Sequence, residues 1–432
     1  MSLAAFFNRQ ALHLRPDPAR VVVRPFRPAI EPRNLNPIDK SRADHIVERV
    51  LSMDPAAVST QLGEVLDNFL GRHRNLLQVF EARADEMEEA FAPHPAFTPE
   101  QRRLVGAYFL HEYAFEAAAL FNPSIVMHPD QSGVTAGTCR FLLSLRATGE
   151  GHVSSLTFRS GVLTADGSVQ VDSPARLATT PRVLSTVPFN DGERIELAFA
   201  PEQEVSERVI FPATGSQSNG IEDARFVQFD DDGDRIFYAT YTAYSGRSIR
   251  SELLETRDFL TFRMSPLSGG AAHNKGMALF PRRLNGRYAM VARQDNENLY
   301  LVYSADLYRW DDGTPLLNPR FPWEFVQIGN CGSPIELDEG WLLLTHGVGP
   351  VRRYSIGAVL LDKADPSRVL ARSPEPLVRP EASDRAGYVP NVVYTCGGMK
   401  HNGRIVLPYA VSDTFCAFAT VTTDALLETL KG

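Results

Sequence analysis

From about residue 124 to the last turn of the chain, short apolar or alternating runs are separated by turns rich in Gly, Asp and Asn. Almost no helical period interrupts this pattern before the final residues. Strict alternation is typical of a half-buried β-strand, and short continuous apolar runs fit strands that are buried on both faces. Roughly 310 residues of such strands are too many for one simple sandwich, so the sequence predicts a mainly β protein.

A weak internal repeat indicates how these strands are grouped. Four segments each join a turn to an apolar strand, and they begin at Asp234, Asn285, Asp338 and Asn402. Their spacing of roughly 50 to 65 residues matches one four-stranded propeller blade. The repeat therefore predicts a β-propeller of five or six blades, and a pair of β-sandwiches is the competing architecture.

The first part of the chain has a different period. Apolar residues at helical spacing predict three helices, at residues 41–53, 55–70 and 75–91. A capping box at Thr98 opens a fourth helix, whose predicted end is at Asn122. The extended segment 21–28 before the helices fits an arm or an edge strand. We therefore expect an N-terminal extended arm and helical region at residues 1–121 and a β domain at residues 122–432.

Composition and charge narrow the expected partners and compartment. The formal net charge is −8 without a long block of one sign, so neither a nucleic acid nor a membrane surface is an expected partner. The four cysteines form no CxxC pair, and no metal site is expected. No segment approaches the roughly 18 apolar residues of a membrane span, and no signal-peptide core is present, so we expect a cytoplasmic protein.

Two adjacent carboxylates and a guanidinium, those of Glu222, Asp223 and Arg225, lie at the start of an apolar strand. Because successive side chains of a strand point to opposite faces, we expect one carboxylate to face a pocket while the other anchors it. A carboxylic acid near a fixed cation is suited to protonate the leaving oxygen of a sugar. A turn with an exposed salt bridge is the structural alternative, since structural ion pairs imitate functional sites.

Six tracts follow one another in a specific order between residues 220 and 415. The first is Gly220-Ile-Glu-Asp-Ala-Arg225, and the others begin at Thr240, Leu279, Glu339, Leu360 and Val389. Together they resemble glycoside hydrolase family 130, which contains β-mannoside phosphorylases and some β-mannosidases. The first tract is similar to the G-x-E-D-P-R motif of that family, with Ala224 in place of proline. The resemblance implies a five-bladed β-propeller that cleaves β-mannoside oligosaccharides with inversion.

The resemblance also implies roles for single residues. Asp223 is implied to be the general acid, and in the phosphorylases of the family its proton passes through a hydroxyl of the bound mannose. Further candidates for contacts with the substrate are Arg146, Glu222, Arg225, Tyr241, His346 and Asp413. An ordinary structural role in a strand or turn is the alternative for each candidate. The helical region is a candidate oligomer interface, and no cofactor is implied.

The attacking group is either phosphate or water. Family positions that hold phosphate correspond here to Lys275, Arg293 and Glu336. The two cations suit a phosphate dianion, whereas phosphorylases usually carry lysine at the third position. A carboxylate there repels phosphate and is suited to deprotonate water. We therefore favour hydrolysis assisted by Glu336. Phosphorolysis, with phosphate as co-substrate on Lys275 and Arg293, is the alternative, and a sugar-binding propeller without turnover is the remote alternative.

Overall fold

The computed structural model describes residues 7–29, 41–90 and 96–431. By internal contacts the chain divides into two compact units. The helical unit comprises Ala19–Ala114 and Arg176–Thr179, and the sheet unit comprises Met1–Pro18, Phe115–Ala175 and Thr180–Gly432. Within the described part of the chain, no helix is both long enough and apolar enough to cross a membrane.

The described helices are α1 (Arg42–Ser52), α2 (Pro55–Phe69), α3 (Leu76–Ala90), α4 (Pro99–Tyr108) and α5 (Thr423–Lys431). The strands up to residue 210 are β1 (Asn8–Leu14), β2 (Val22–Pro25), β3 (Leu110–Tyr113), β4 (Ala119–Met127), β5 (Cys139–Thr148), β6 (Ser154–Leu163), β7 (Val169–Val171), β8 (Arg182–Phe189), β9 (Gly192–Ala198) and β10 (Val209–Ile210). The next strands are β11 (Gly220–Asp231), β12 (Asp234–Tyr244), β13 (Ile249–Thr256), β14 (Thr261–Pro266), β15 (Ala278–Leu279), β16 (Tyr288–Ala292), β17 (Leu299–Ser304) and β18 (Thr314–Leu317). The last strands are β19 (Gln327–Asn330), β20 (Ile335–Glu336), β21 (Trp341–Gly349), β22 (Arg353–Leu361), β23 (Val369–Arg372), β24 (Val393–Tyr394), β25 (Met399–His401), β26 (Arg404–Val411) and β27 (Phe415–Thr422).

In the helical unit, polar side chains fix the starts of three helices. Ser41 and Thr98 each form a capping box, and Asp54 accepts a hydrogen bond from the backbone of Ala57. Buried side chains from α1, α2 and α4, such as those of Val50 and Leu104, pack together. The predicted starts of the four helices are confirmed, and segment 21–28 contains strand β2, which pairs with β3.

The predicted end of the fourth helix is wrong. Helix α4 ends at Tyr108, and strands β3 and β4 follow it. Asn122 lies inside β4 at a bulge, where the pairing with β5 shifts between Phe121 and Ser124. A bulge is one of the few places in a strand that tolerates proline, which accounts for Pro123 at this point.

The strands of the sheet unit form five antiparallel groups. The first is β4-β5-β6 with β7 and β10 on β6, and the second is β11-β12-β13-β14-β9-β8. The third is β15 to β18, the fourth is β19 and β20 with β21, β22 and β23, and the fifth is β24 and β25 with β26, β27 and β1. The first two groups are joined by a parallel pairing between Gly220 and Ser154.

Buried apolar clusters lie between successive groups. One cluster contains Leu142 of the first group and Phe237 of the second, and others join the second to the third, the third to the fourth, and the fourth to the fifth. A small cluster of Ala119, Phe121 and Ala410 joins the fifth group to the first. Each group is therefore packed between two others.

Candidate active site

The carboxylates of the predicted acid motif lie on β11 at a break in the strand. The pairing of β11 with β12 shifts between Glu222 and Arg225, and Asp223 has a left-handed φ of 55°. A bulge changes the direction of side chains relative to the pleat. As a result Glu222 and Asp223 line the same cavity, and the prediction that they point to opposite faces is wrong.

This cavity, the acid cavity, has a volume of about 200 Å³. Its walls come from strands of the first, second, fourth and fifth groups and from loops beside the third group. The lining residues are Asn122, Arg146, Glu222, Asp223, Arg225, Lys275, Gly276, Arg293, Gly329, Asn330, His346, Arg352, Tyr354, Val392, Tyr394 and Asp413. Eight of the residues predicted from the sequence are thus brought together.

Arg146 connects the two carboxylates. Its guanidinium donates to Glu222 Oε1 at 2.7 Å and to Asp223 Oδ1 at 3.4 Å, while its Nε donates to Ser154 Oγ at 3.0 Å. Ser154 pairs with Gly220, where a Cβ would lie only 2.8 Å from the serine Oγ. Glycine at the start of the motif therefore permits the close approach of strands that positions Arg146.

Four groups act on the charge of Asp223. Burial would raise the pKa of this carboxyl, but the positive charges of Arg146, Arg225 and Lys275 and a hydrogen bond from Asn122 outweigh burial and lower it. Arg225 is itself fixed, because it donates to the hydroxyl of Tyr394 at 2.6 Å. Asp223 is therefore ionised in the free site.

Another part of the cavity wall, which contains Arg293 and Lys275, is cationic. Arg293 Nη1 lies 3.5 Å from His346 Nε2, and burial together with Arg293 and Arg225 holds the pKa of His346 well below its usual value. The neutral imidazole can accept a hydrogen bond from Arg293. Among the described residues, Arg293 Nε and both amide atoms of Asn330 are buried without a hydrogen-bond partner. Lys275 Nζ lies 4.0 Å from Glu222 Oε2.

Asp413 lies at the corner between β26 and β27, where Ser412 and Asp413 have left-handed φ values of 49° and 48°. Burial and the charge of Asp223 raise the pKa of Asp413 to about 6, although Arg146 and Arg352 oppose this shift. The carboxyl group is therefore half-protonated near pH 6. Such a group can donate a hydrogen bond to a sugar hydroxyl or accept one.

Glu336 does not line the acid cavity. Its carboxylate accepts hydrogen bonds from Arg282 at 2.9 and 3.0 Å and faces a second cavity of about 760 Å³. Asn330 ends β19 and Glu336 ends β20, and the chain bends at Gly332 and Ser333 between them. Asn330 lines the acid cavity, whereas Glu336 lines only the second cavity. The prediction that Glu336 assists a water beside Asp223 does not agree with this placement.

Tyr241 also lies outside the acid cavity. Its hydroxyl donates to Glu252 Oε2 at 2.5 Å, and Gln217 Nε2 contacts both groups at 2.9 Å. This buried network holds the segment that precedes Gly220. The alternative named for Tyr241, a structural role in a strand, agrees with its position.

A family model described as β-1,4-mannooligosaccharide phosphorylase matches residues 191–432, which is more than half of the chain. The chain belongs to glycoside hydrolase family 130. It is accordingly an enzyme that acts on β-mannosides, and the family resemblance of its six tracts is confirmed.

Curated relatives match about half of the chain. A 1,2-β-oligomannan phosphorylase of Thermoanaerobacter sp. (strain X514) is 34% identical over 216 residues, which cover 49% of this chain and 71% of the relative. A β-1,4-mannooligosaccharide phosphorylase of Ruminococcus albus is 31% identical over 209 residues, 45% of this chain and 62% of the relative. The solved complex of a β-1,2-mannobiose phosphorylase from Listeria innocua with β-1,2-mannobiose has a TM-score of 0.51 at 22% identity, and covers 73% of this chain and 92% of that structure. That structural likeness shows a shared fold.

Of the eight lining residues that were not predicted from the sequence, five have polar side chains: Asn122, Asn330, Arg352, Tyr354 and Tyr394. Asn122 and Pro123 were interpreted from the sequence as the end of a helix, and for this reason Asn122 was not predicted as a cavity residue. Tyr394 directly follows the last residue of the tract that begins at Val389, and gave no chemical signal of its own. In residues 7–29, 41–90 and 96–431, no three or more His, Cys, Asp or Glu side chains are arranged to hold a metal ion.

Proposed function

We propose that this family 130 enzyme is a β-mannoside phosphorylase, which transfers a mannosyl group to inorganic phosphate with inversion. The observation that carries the proposal is the cationic wall of the acid cavity. Arg293 and Asn330 are buried there with polar atoms that lack partners among the described residues. A buried donor without a partner is costly, and a phosphate oxygen is a strong acceptor for such donors.

The distribution of charge divides the acid cavity into two halves. Asp223, Glu222 and Asp413 form the half suited to bind and protonate a sugar. Lys275 and Arg293, with the neutral His346 as an acceptor for Arg293, form the half suited to a dianion. An inverting reaction needs its acid and its nucleophile on opposite faces of the sugar ring, and this division supports that arrangement.

In the proposed reaction, a phosphate oxygen attacks C1 of the mannosyl unit while the bond from C1 to the glycosidic oxygen breaks. The electron pair of that bond goes to the leaving oxygen, which receives the proton of Asp223 directly or through a mannose hydroxyl. The products are α-mannose 1-phosphate and the shortened mannoside. Asp223 ends the reaction as a carboxylate, which Arg146 and Arg225 stabilise.

Phosphate also accounts for how an ionised Asp223 becomes an acid. The charge of Lys275 contributes to the low pKa of Asp223 in the free site. A dianion on Lys275 and Arg293 offsets their positive charge and therefore raises the pKa of Asp223. Water carries no such charge. This coupling favours phosphorolysis over the hydrolysis that the sequence alone suggested.

Two further observations support the proposal. Glu336, which was the basis for expecting hydrolysis, pairs with Arg282 outside the acid cavity. Both curated relatives described above are phosphorylases, of 1,2-linked and 1,4-linked mannosides respectively.

The five antiparallel groups, packed in sequence with the fifth against the first, support a five-bladed propeller whose inner strands surround the cavity.

The proposal is tested by the rate of mannose release from β-1,2- and β-1,4-mannobiose at increasing phosphate concentration. We expect a saturable dependence on phosphate and negligible release without it. A rate that does not depend on phosphate would identify hydrolysis and overturn the proposal. Asp223→Asn should lose orders of magnitude with mannobiose but far less with β-mannosyl fluoride, whose leaving group needs no proton. A sugar-binding protein without turnover would release nothing from either substrate.

A further inference from the structure

The size of the acid cavity leaves part of the substrate outside it. Its volume of about 200 Å³ is below the roughly 300 to 1,000 Å³ that is usual for ligand cavities. The mannosyl unit and the attacking group occupy this space, so the leaving sugar unit has to lie at the rim. The rim beside Asp223 is therefore where a preference for the leaving unit can be set.

Two exposed rings are joined on loops that lie near residues of the acid cavity in the chain. The hydroxyl of Tyr388 and Nδ1 of His152 are 2.5 Å apart, and the ring centroids are separated by 5.6 Å. Tyr388 is 42% exposed, and His152 is also exposed. An exposed aromatic pair with a fixed mutual orientation offers an apolar face and polar edges, which is the combination that a sugar ring requires.

A backbone contact of Tyr388 and the chain position of His152 connect both rings to residues that touch the acid cavity. Tyr388 N donates to Thr414 Oγ1 at 2.8 Å, directly next to Asp413 in the chain. His152 is two residues before Ser154, whose hydroxyl receives the Nε of Arg146. Arg146 and Asp413 interact across the cavity. The contact between His152 and Tyr388 thus joins the first and fifth groups of strands, through the loop between β5 and β6 and the segment that contacts Thr414.

The backbone at His152 is held in a strained conformation. Gly151 and His152 have left-handed φ values of 68° and 61° in the loop between β5 and β6. Left-handed conformations are uncommon for residues other than glycine, and they concentrate at functional sites. In this conformation the imidazole of His152 contacts Tyr388, two residues before β6 begins.

We propose that Tyr388, oriented by His152, is the platform that binds the sugar unit leaving the acid cavity, and that it determines specificity for that unit. The proposal rests on the cleavage of β-mannosides at Asp223 and is independent of whether phosphate or water attacks. The ring of Tyr388 stacks against the C–H face of the leaving sugar, and His152 holds the ring in place.

The test compares two substrates that differ only in what leaves. β-Mannobiose places a sugar on the rim, whereas β-mannosyl fluoride places a single atom there. We expect Tyr388→Ala to lower the ratio of kcat/KM for mannobiose to kcat/KM for the fluoride at least tenfold, mainly through KM for mannobiose. Tyr388→Phe keeps the ring and loses the contact with His152, so its ratio should fall less than that of Tyr388→Ala.

His401→Ala is the matched control for His152→Ala. Nε2 of His401 contacts the Gly137 carbonyl at 3.0 Å, and His401 does not line the acid cavity. We expect His401→Ala to leave the ratio unchanged and His152→Ala to lower it. If Tyr388→Ala lowers kcat/KM equally for both substrates, or lowers neither, the ratio stays unchanged. Either result would overturn the proposal, and an equal loss would indicate a structural role. If the wild-type protein turns over neither mannobiose nor the fluoride, the proposed function is wrong, and the proposal about Tyr388 has not caused the failure.

Discussion

The side-chain amide of Asn122 donates a hydrogen bond to Oδ1 of Asp223 at 2.6 Å. The two residues lie on the inner strands of different groups, and both have left-handed φ values at bulges, 48° and 55°. The other amide atom, Asn122 Oδ1, is buried without a partner among the described residues and is available to a substrate hydroxyl. Asn122 therefore positions Asp223, the proposed general acid, and offers an acceptor oxygen to the proposed substrate.

Asn122→Asp tests this contact. The variant removes the donor and adds a negative charge, so it should raise the pKa of Asp223 and weaken its positioning. Because a hydrogen bond to a charged group contributes about 1.5 to 3 kcal/mol, kcat/KM for mannobiose should fall about 10- to 100-fold. Asn402→Asp is the control, since Asn402 also has a left-handed φ, 46°, and contacts the Gly137 carbonyl instead. An equal loss in both variants would refute the assigned role.

Lys275→Gln tests the phosphate half of the acid cavity. The side chain of Lys275 is 40% exposed, so its replacement should not disturb folding. We expect KM for phosphate to rise about tenfold, with little change in KM for mannobiose, because one charge-assisted contact is lost. Lys363→Gln is matched in exposure, at 43%, but contacts Glu336 outside the cavity. If Lys275→Gln and Lys363→Gln have the same KM for phosphate, the proposed division of the cavity is wrong.

Glu336→Gln separates the two accounts of the nucleophile. If Glu336 serves only as the ion-pair partner of Arg282 and Lys363, the variant should keep turnover and its phosphate dependence within about twofold. The loss of stability should stay below about 1 kcal/mol, because both side chains are about a third or more exposed. Steady-state kinetics and denaturant unfolding measure both effects. A drop in turnover by orders of magnitude would instead support Glu336 as a base for water.

Asp413→Asn tests the shifted ionisation of the cavity carboxyl. The pKa of Asp413 is raised to about 6, above its ordinary value of 3.8, so the native state favours the protonated form. This contribution to stability is present below about pH 4 and is lost as the pH rises through 6. The neutral variant should therefore be more stable than the wild type at pH 8, by at most about 3 kcal/mol, and similar at pH 4.

Urea unfolding at a series of pH values measures this difference. Asp338→Asn replaces an exposed carboxylate in a turn and serves as the control, with no pH-dependent gain expected. A gain for Asp413→Asn that is the same at pH 4 and pH 8 would show that the shifted ionisation of Asp413 is not its cause.

Local signals in the sequence predicted the helix starts and the acid motif. Capping residues such as Ser41 and Thr98 act within one turn, so a single sequence contains all the information they carry. The end of α4 was missed because the bulge at Asn122 depends on pairing with β5, which is not local. Bulges also overturned the expected alternation of Glu222 and Asp223, since a strict period of two has no place for an extra residue.

Glu336 shows a different limit. No strand was predicted for it from the sequence, but the structure places it in the short strand β20, which pairs with β21. The sequence alone does not show which end of a strand lies at the active-site cavity. Only the assembled groups show that Asn330 reaches the acid cavity while Glu336 reaches the opposite end.

In the proposed reaction, phosphate attacks C1 while Asp223 protonates the leaving sugar. ³¹P NMR during turnover of β-mannobiose tests this reaction, because the spectrum reports the product and its anomeric configuration together. We expect α-mannose 1-phosphate, formed in a one-to-one ratio with released mannose and absent without phosphate. Free mannose as the only product in phosphate buffer, or a β-configured sugar phosphate, would contradict it.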